Sequence, residues 1–171
     1  VPKGTTVIVT NLFYNTPARY NFLKKDSTES ANIISLVQRL AISRSCVAVK
    51  LIVDKKVVFS TDGNANDLDV IYTVLGKDIS ENLLETYRCN ARIKITGYVG
   101  KPRCSRSNRN YQLLFVNGRY VKSKTVTAAV DRAFHNLLMN NKYAVSVLFI
   151  DIGVSNVDVN VHPTKMEIKF A

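Results

Sequence analysis

The sequence has few of the residues on which metal sites and nucleophilic catalysis depend. Its 171 residues include three cysteines and two histidines. Cys46, Cys89 and Cys104 lack C-x-x-C spacing, and His135 and His162 are far apart along the chain. An odd number of cysteines without metal-type spacing disfavours a metal site and favours free thiols. No Cys–His or Ser–His–Asp set can be assembled either, so we predict neither a metal site nor a self-sufficient enzyme.

Phosphate-binding loops and membrane segments are also missing from the sequence. Neither a G-x-x-x-x-G-K-[ST] loop nor a G-x-G-x-x-G loop occurs. No apolar run approaches the roughly 20 residues that span a bilayer, and the N-terminus has no signal-peptide pattern. The 46% hydrophobic content predicts one soluble, intracellular globular domain. The chain begins at Val1 rather than Met and stops directly after an alternating run, which suggests an excised fragment.

Acidic residues are absent between Arg88 and Lys124. The formal net charge of the chain is +11, and ten of its 24 basic residues lie in this segment. The other 14 basic residues are nearly balanced by the 13 acidic ones. Such asymmetry indicates a polyanionic partner, DNA or RNA, bound through its phosphates without base reading. The alternative is a solvated basic face that only aids solubility.

The hydrophobic patterns predict a layered α/β or α+β fold. Alternating or continuous apolar runs predict strands over 5–13, 47–53, 57–60, 91–99, 111–116, 143–152, 157–161 and 166–170. Helical spacing predicts helices from about 27 to 41, over 68–75 and over 122–139. Asn66 or Asp67 is expected to cap the second helix, and Gly76 to end it. Residues 77–89 are too weakly patterned to assign.

The order of these elements predicts a mixed sheet with helices mainly on one face. The strand, helix and strand over 111–152 predict a right-handed crossover. Residues 101–110 are polar and basic and predict an exposed, mobile loop. One face of the third helix is expected to be buried, and its residues are Val126, Ala129, Val130, Ala133, Phe134, Leu137 and Leu138.

Three segments carry a resemblance that extends over nearly the whole chain. They are GTTVIVTNLFYNTPARYNFLK at 4–24, LFVNGRYVKSK at 114–124 and DVNVHPTKMEIKF at 158–170. In this order they resemble the MutL family of DNA mismatch-repair proteins, GHKL-type ATPases related to gyrase B and histidine kinases. The lengths between them resemble bacterial members. The resemblance implies that residues 1–12 are the last strand of the ATP-binding subdomain. It also implies that residues 13–171 are a transducer domain with the fold of ribosomal protein S5 domain 2.

The resemblance assigns only a few residues of this chain to a nucleotide site. Lys165, on a loop restricted by Pro163, matches the lysine that reaches the γ-phosphate of ATP and stabilises charge during its transfer. Gly4 and Thr5 match a pair that supports adenine binding. The family's remaining ATP-binding and Mg²⁺-binding residues precede the matched region. We therefore expect ATP and Mg²⁺ in a full-length parent, and no cofactor or ATP hydrolysis in this chain alone.

The resemblance also implies an interdomain loop and a DNA surface. Asn15, Thr16, Pro17 and Arg19 match the loop that joins the two subdomains, where Arg19 is expected to donate hydrogen bonds rather than act in catalysis. Basic residues after the Asn117-Gly118 turn are expected to face outward, where the family lines a DNA-binding groove. The candidate DNA-binding residues are Arg103, Arg106, Arg109, Arg119, Lys122 and Lys124.

The implied partners belong to the full-length parent. They are DNA bound without sequence preference, a second copy in a homodimer and a MutS-type mismatch-recognition protein, with no membrane. The implied location is the bacterial cytoplasm, in association with the nucleoid, or the nucleus in a eukaryote. An RNA-binding module of the same S5-like fold would explain the basic segment equally well. The HPTK segment argues against that alternative, because an RNA-binding module has no use for a rigidly held lysine away from its basic patch.

Overall fold

The computed structural model describes residues 3–153, 157–158 and 169–170. The chain divides into two compact units, Val1–Ser35 and Leu36–Ala171. In the first unit, residues 3–10 form no helix or strand. The strand predicted over 5–13 is therefore wrong in this structure, because a strand needs a hydrogen-bonding neighbour and the described residues supply none. A turn follows, in which Asn11 and Phe13 have φ values of 50° and 65°.

Two helices start in the first unit. Helix α1 spans Pro17–Tyr20, with the proline at its first turn, where a missing N–H is tolerated. Helix α2 spans Asp26–Ser43 and ends within the second unit. Its first turn carries Glu29, whose Oε1 accepts a hydrogen bond of 3.0 Å from the backbone N–H of Lys24.

The next helices of the second unit agree with their sequence signals. Helix α3 spans Asp67–Leu75, and Asn66 caps it by accepting a 3.0 Å hydrogen bond from the N–H of Leu68. Gly76 ends the helix with a φ of 89°, which other residues adopt only with strain. A short helix α4, Lys77–Ser80, follows in the stretch that the sequence left unassigned.

The strands form a mixed sheet, which confirms the predicted fold class. Strands β1 (Lys50–Val53) and β2 (Lys56–Ser60) form the predicted hairpin. The main sheet contains β3 (Leu83–Cys89), β4 (Ile93–Gly100), β5 (Gln112–Val116), β6 (Arg119–Val121) and β7 (Ser146–Ile152). Its order is β3-β4-β7-β5-β6, and only β5 and β7 run parallel. Short strands β8 (Val157–Asp158) and β9 (Lys169–Phe170) pair with each other.

The two faces of the sheet bury different clusters. On the first face, the end of α2 and helix α3 pack against β5 and β7 through Ala41, Ile42, Val70, Ile71, Val74, Leu113, Phe115 and Val147. On the second face, Leu114, Val116, Val121 and Ile150 form a smaller cluster, which Val126 covers. Helix α5, Lys124–Phe134, carries Val126 and links β6 to β7. Helices α2 and α3 therefore pack on the first face and only α5 on the second, which agrees with the predicted arrangement of helices mainly on one face.

Helix α5 differs from its prediction in length and burial. It ends at Phe134, although the periodic pattern extends to 139, and none of its residues is buried. The predicted buried stripe is wrong at Ala129, Ala133 and Leu137, which are exposed. Amphipathic spacing identified the helix correctly, but only Val126 reaches the second-face cluster.

The basic loop over 101–110 is more structured than predicted. It contains two 3₁₀ turns, Pro102–Cys104 and Arg109–Tyr111, and Arg106 forms a β-bridge with Tyr143. Cys104 is only 2% exposed and packs with Ile79 and Val145. The expectation of a fully exposed loop is wrong at this residue, because its thiol fills an apolar space and donates to the carbonyl of Lys101 at 3.2 Å.

Candidate nucleic-acid interface

The Asn117-Gly118 turn, which precedes β6 and α5, is fixed by side-chain hydrogen bonds. Asn117 and Gly118 have φ values of 49° and 74°. The Asn117 amide donates to the carbonyl of Ile152 and accepts from its N–H, both at 3.0 Å. A Cβ at Gly118 would lie 2.9 Å from a guanidinium nitrogen of Arg44. The turn therefore has a defined conformation from which β6 and α5 continue.

The start of α5 places two lysines around a buried cap. Ser123 is 7% exposed, and its hydroxyl accepts a 3.3 Å hydrogen bond from the N–H of Val126. Lys122 and Lys124 are both exposed on either side of this serine, and Arg119 is exposed on β6. The first-turn amides of a helix carry partial positive charge, which adds to that of the lysines. The arrangement suits a phosphate group.

A groove beside this helix collects basic residues from three parts of the chain, and we call it the α5 groove. Its volume is about 520 Å³, and its lining includes Arg39, Arg109, Lys122 and Lys124. No acidic residue lines it among the described residues. Arg39 was not predicted as a site residue, because it belongs to α2, far earlier in the sequence than the basic segment. Nothing in the local pattern of a half-buried helix distinguishes such an arginine.

Arg109 is held in place at the α5 groove. Its guanidinium forms an ion pair with Asp131, with Nη2 and Oδ2 2.8 Å apart, and lies 4.0 Å from the centre of the Tyr143 ring. The hydrogen bond to Asp131 raises the pKa of Arg109, so it remains charged. Asp131 also offsets part of this positive charge. Lys122 and Lys124 are therefore the stronger candidates for phosphate contacts.

Arg103 and Arg106 are engaged elsewhere, next to α4. Arg106 pairs with Asp78 at 2.7 Å and donates to the carbonyl of Cys104 at 2.9 Å. The hydrogen bond to Asp78 raises the pKa of Arg106. The guanidinium of Arg103 donates to the side chain of Asn82. Of the six predicted DNA-binding residues, Arg109, Lys122 and Lys124 line the α5 groove, and Arg119 is exposed on β6. The other two, Arg103 and Arg106, connect the basic loop to Asn82 and Asp78.

The predicted nucleotide-contacting residues are not brought together by the described part of the chain. Gly4 and Thr5 are exposed, and no atom lies within 4 Å of a Cβ built on Gly4. Lys165 lies outside the described residues, as do His162 and Pro163. The assignment of all three nucleotide-contacting residues stays a prediction.

The predicted interdomain residues occupy the turn and the first helix of the first unit. Asn15, Pro17 and Arg19 are exposed, and the carbonyl of Thr16 accepts from the N–H of Arg19 at 2.9 Å. The guanidinium of Arg19 makes no ion pair with any carboxylate in the described part of the chain. Its interdomain role stays a prediction.

The described ranges contain neither a metal cluster nor a membrane-spanning helix. No group of three or more His, Cys, Asp and Glu residues is placed there to hold a metal ion. No helix within the same ranges has the length and hydrophobicity to cross a membrane.

The family comparison decides what kind of protein has this arrangement. The model for the C-terminal domain of DNA mismatch repair proteins matches residues 71–171, which include the main sheet from β3 onwards, α5 and the segment with Lys165. The chain belongs to the family of DNA mismatch repair proteins. This membership favours the mismatch-repair interpretation over the RNA-binding alternative.

Individual MutL proteins align with almost the whole chain. The DNA mismatch repair protein MutL of Agathobacter rectalis is 44% identical over 169 residues, which are 99% of this chain and 26% of that protein. The corresponding protein of Clostridium tetani is 47% identical over 167 residues, 98% of this chain and 27% of that protein. The chain therefore spans about a quarter of the length of these MutL relatives.

Solved structures confirm the fold. The crystal structure of the N-terminal domain of a DNA repair protein superimposes with a TM-score of 0.75 at 24% identity, covering 92% of this chain and 53% of that one. The Aquifex aeolicus MutL ATPase domain complexed with ADP gives a TM-score of 0.63 at 20% identity, covering 85% and 51%. The S5 domain 2-like architecture fits this MutL fold.

Proposed function

We propose that this chain is the transducer segment of a MutL-type mismatch-repair ATPase and that it binds DNA without sequence preference. The observation that carries the DNA-binding proposal is the position of Lys122 and Lys124 at the start of α5. They flank the capping Ser123 and line the α5 groove with Arg109 and Arg39. The lining of the α5 groove includes four cationic side chains and, among the described residues, no carboxylate.

The chemistry of this surface suits a phosphate backbone. Lysines that neutralise phosphates release condensed counterions, which drives binding to any sequence. Lys122, Lys124 and Arg119 are exposed, and no ion pair involves them among the described residues. Arg106 and Arg109 have carboxylate partners, so each contributes less net charge. We therefore assign the main phosphate contacts to Arg119, Lys122 and Lys124, and a smaller share to Arg103, Arg106 and Arg109.

The ATP-related part of the proposal rests on family resemblance. In a full-length parent, Lys165 would contact the γ-phosphate, and Gly4 and Thr5 would support the adenine site. Residues 1–12 would complete the ATP-binding subdomain, and residues 13–171 would form the transducer. ATP and Mg²⁺ would be bound mainly by residues outside this chain. The chain alone would not hydrolyse ATP.

The partners of the parent belong to the same proposal. They are a second copy of the protein, a MutS-type mismatch-recognition protein and DNA. A cytoplasmic, nucleoid-associated location would follow from these partners in a bacterium. The junction loop of Asn15, Thr16, Pro17 and Arg19 would transmit movement between the two subdomains.

The DNA-binding proposal is tested by fluorescence anisotropy with labelled duplexes of unrelated sequence over a series of salt concentrations. The logarithm of affinity should fall linearly with the logarithm of salt concentration, by about 0.9 for each phosphate neutralised. Affinities for the different sequences should agree within about twofold. Salt-independent binding, or no binding at low salt, would contradict the proposal.

A further inference from the structure

Arg109 differs from the other basic residues of the α5 groove in having a carboxylate partner. Arg39, Lys122 and Lys124 take part in no ion pair among the described residues. The Oδ2 atom of Asp131 accepts hydrogen bonds from Nε of Arg109 at 3.0 Å and from its Nη2 at 2.8 Å. One edge of the guanidinium is therefore occupied by a carboxylate, and that edge cannot bind a phosphate at the same time.

The Arg109–Asp131 ion pair is accessible to water and can be exchanged for another anion. The side chain of Arg109 is 51% exposed and that of Asp131 is 27% exposed. An accessible ion pair contributes little to stability, because water competes for both charges. A guanidinium binds phosphate with the same forked geometry as carboxylate. The Tyr143 ring, whose centre is 4.0 Å from the guanidinium, can support Arg109 with either anion.

Asp131 has a second partner, so it does not depend on Arg109. Its Oδ1 atom accepts a 2.9 Å hydrogen bond from the side-chain amide of Gln112 on β5. This bond remains when Arg109 leaves. The exchange therefore does not leave the carboxylate without a hydrogen-bond donor.

The position of Asp131 on α5 brings a negative charge close to the basic start of the helix. Asp131 follows Lys124 by seven residues, and both lie within α5. Seven residues are about two helical turns, so the two side chains are on the same side of the helix, about 10 Å apart along its axis. That separation is comparable to the screening length of about 10 Å at 0.1 M salt. Asp131 therefore opposes DNA in two ways, by occupying Arg109 and by repelling the phosphates.

We propose that the Arg109–Asp131 ion pair is an autoinhibitory contact of the DNA surface, in which Asp131 withholds Arg109 from phosphates and limits the affinity for DNA. The proposal rests on the proposed DNA-binding function and adds a means of regulating it. When the pair is broken, Arg109 adds one phosphate contact beside those of Lys122 and Lys124. Loss of the negative charge at Asp131 should therefore raise the affinity for DNA of any sequence.

Removal of the charge at Asp131 tests the proposal. Asp131→Asn keeps the shape of the side chain and its ability to accept from Gln112, but it ends the ion pair with Arg109. Fluorescence anisotropy with a labelled duplex over a salt series compares this variant with the unmodified chain. We expect Asp131→Asn to bind at least threefold more tightly near about 0.1 M salt. Its salt slope should be steeper by about 0.9, the contribution of one further phosphate.

Two further variants separate the ion pair from net charge. Asp54→Asn makes the same change of net charge in the turn of the β1–β2 hairpin, where Asp54 is exposed and its φ of 48° suits asparagine. Arg109→Gln in the Asp131→Asn background removes the released cation. Both should bind with the salt slope of the unmodified chain. A gain in affinity that Asp54→Asn shares, or that persists without Arg109, would show that net charge alone acts and would overturn the proposal.

The remaining outcomes are also decisive. Weaker DNA binding by Asp131→Asn would make Asp131 a residue that positions Arg109 for DNA, and unchanged binding would leave it without a role; either overturns the autoinhibitory contact alone. Circular dichroism checks the fold of each variant. If Asp131→Asn does not fold, Asp131→Ala, which suits a helix interior, replaces it with the same expected gain. Absence of DNA binding by the unmodified chain at low salt would overturn the proposed function as well.

Discussion

At the scale of single residues, the surroundings of Cys104 set the chemistry of its thiol. Burial raises the pKa of Cys104, and the effects that oppose it, from Arg106, a backbone hydrogen bond and Arg103, are smaller. Cys46 and Cys89 are exposed. Because the thiolate is the reactive form, burial and a raised pKa both slow the reaction of Cys104.

We predict that Ellman's reagent modifies two thiols rapidly near neutral pH and the third only when the protein unfolds. Cys46→Ser and Cys89→Ser should each remove one rapid equivalent, whereas Cys104→Ser should remove none. Stopped-flow absorbance provides the measurement. Three equally rapid equivalents in the native protein would contradict the buried position of Cys104.

The same pKa shift predicts a pH dependence of stability. A thiol ionises more readily in the unfolded chain than in the folded one when its folded pKa is raised. Its contribution to stability is therefore complete below the ordinary pKa of 9.0 and is lost as pH rises above it. The stability difference between the unmodified chain and Cys104→Ala, measured by urea unfolding, should be constant from about pH 7 to 8 and shrink above about pH 9. A difference that grows with pH would contradict a raised pKa.

At the scale of elements, the Asn117-Gly118 turn links β5, β6 and the end of β7. Its two side-chain hydrogen bonds reach Ile152, which is 35 positions later in the chain. The positive φ of Asn117 favours asparagine or glycine over other residues. The backbone conformation and the bonds to Ile152 can therefore be separated by substitution.

We predict that Asn117→Gly lowers the free energy of unfolding by about 1 kcal/mol, because it removes the exposed side-chain bonds but keeps the positive φ. Asn117→Ala should lower the free energy of unfolding by about 1 kcal/mol more than Asn117→Gly does, because a Cβ without a polar group makes that φ unfavourable. Urea unfolding monitored by circular dichroism gives both values. Equal stability of the unmodified chain and Asn117→Gly would show that the bonds to Ile152 contribute nothing.

Elements with a complete local signal could be predicted from the sequence, whereas those that depend on distant partners could not. Asn66 and Gly76 mark both ends of α3 in the sequence itself. Strand β3 has no such signal in its sequence, because its apolar and polar residues alternate only weakly. Its register is set by pairing with β4. The strand expected over 5–13 had the right residue types but has no pairing partner among the described residues.

The same distinction applies to the candidate interface. The exposed positions of Lys122 and Lys124 could be predicted, because these lysines belong to a dense basic segment and to a family motif. The ion pairs of Arg106 and Arg109 could not, since Asp78 and Asp131 lie 28 and 22 positions away. One face of α5 was expected to be buried, and only packing in three dimensions shows that Val126 and Val130 line an open groove.

At the scale of the whole molecule, the proposed function combines a DNA-binding surface with an ATP site. Most residues of that ATP site would come from other parts of the full-length parent. The two functions meet in a full-length parent, where Lys165 would contact the γ-phosphate. A contact of this kind strengthens as charge develops during phosphoryl transfer. Its removal should therefore affect turnover more than nucleotide binding.

We predict that Lys165→Ala in the full-length protein lowers kcat for ATP hydrolysis at least tenfold and raises KM less than threefold. Lys169→Ala, in the same terminal segment, should leave both within twofold. Steady-state phosphate release measures these constants. Equal effects of Lys165→Ala on kcat and KM, or none, would remove Lys165 from the proposed mechanism.

The most direct test of the DNA surface is the salt dependence of DNA binding after two matched charge reversals. One variant replaces Arg119, Lys122 and Lys124 by Glu, and the other replaces the exposed Lys50, Lys55 and Lys56 of the β1–β2 hairpin by Glu. Both change the net charge equally, so their difference isolates position. We predict that the first weakens binding to all duplexes and makes the salt slope shallower by about one unit for each phosphate no longer neutralised, while the second preserves the slope. Equal slopes in the two variants would show that the basic residues at the start of α5 are only a solvated face.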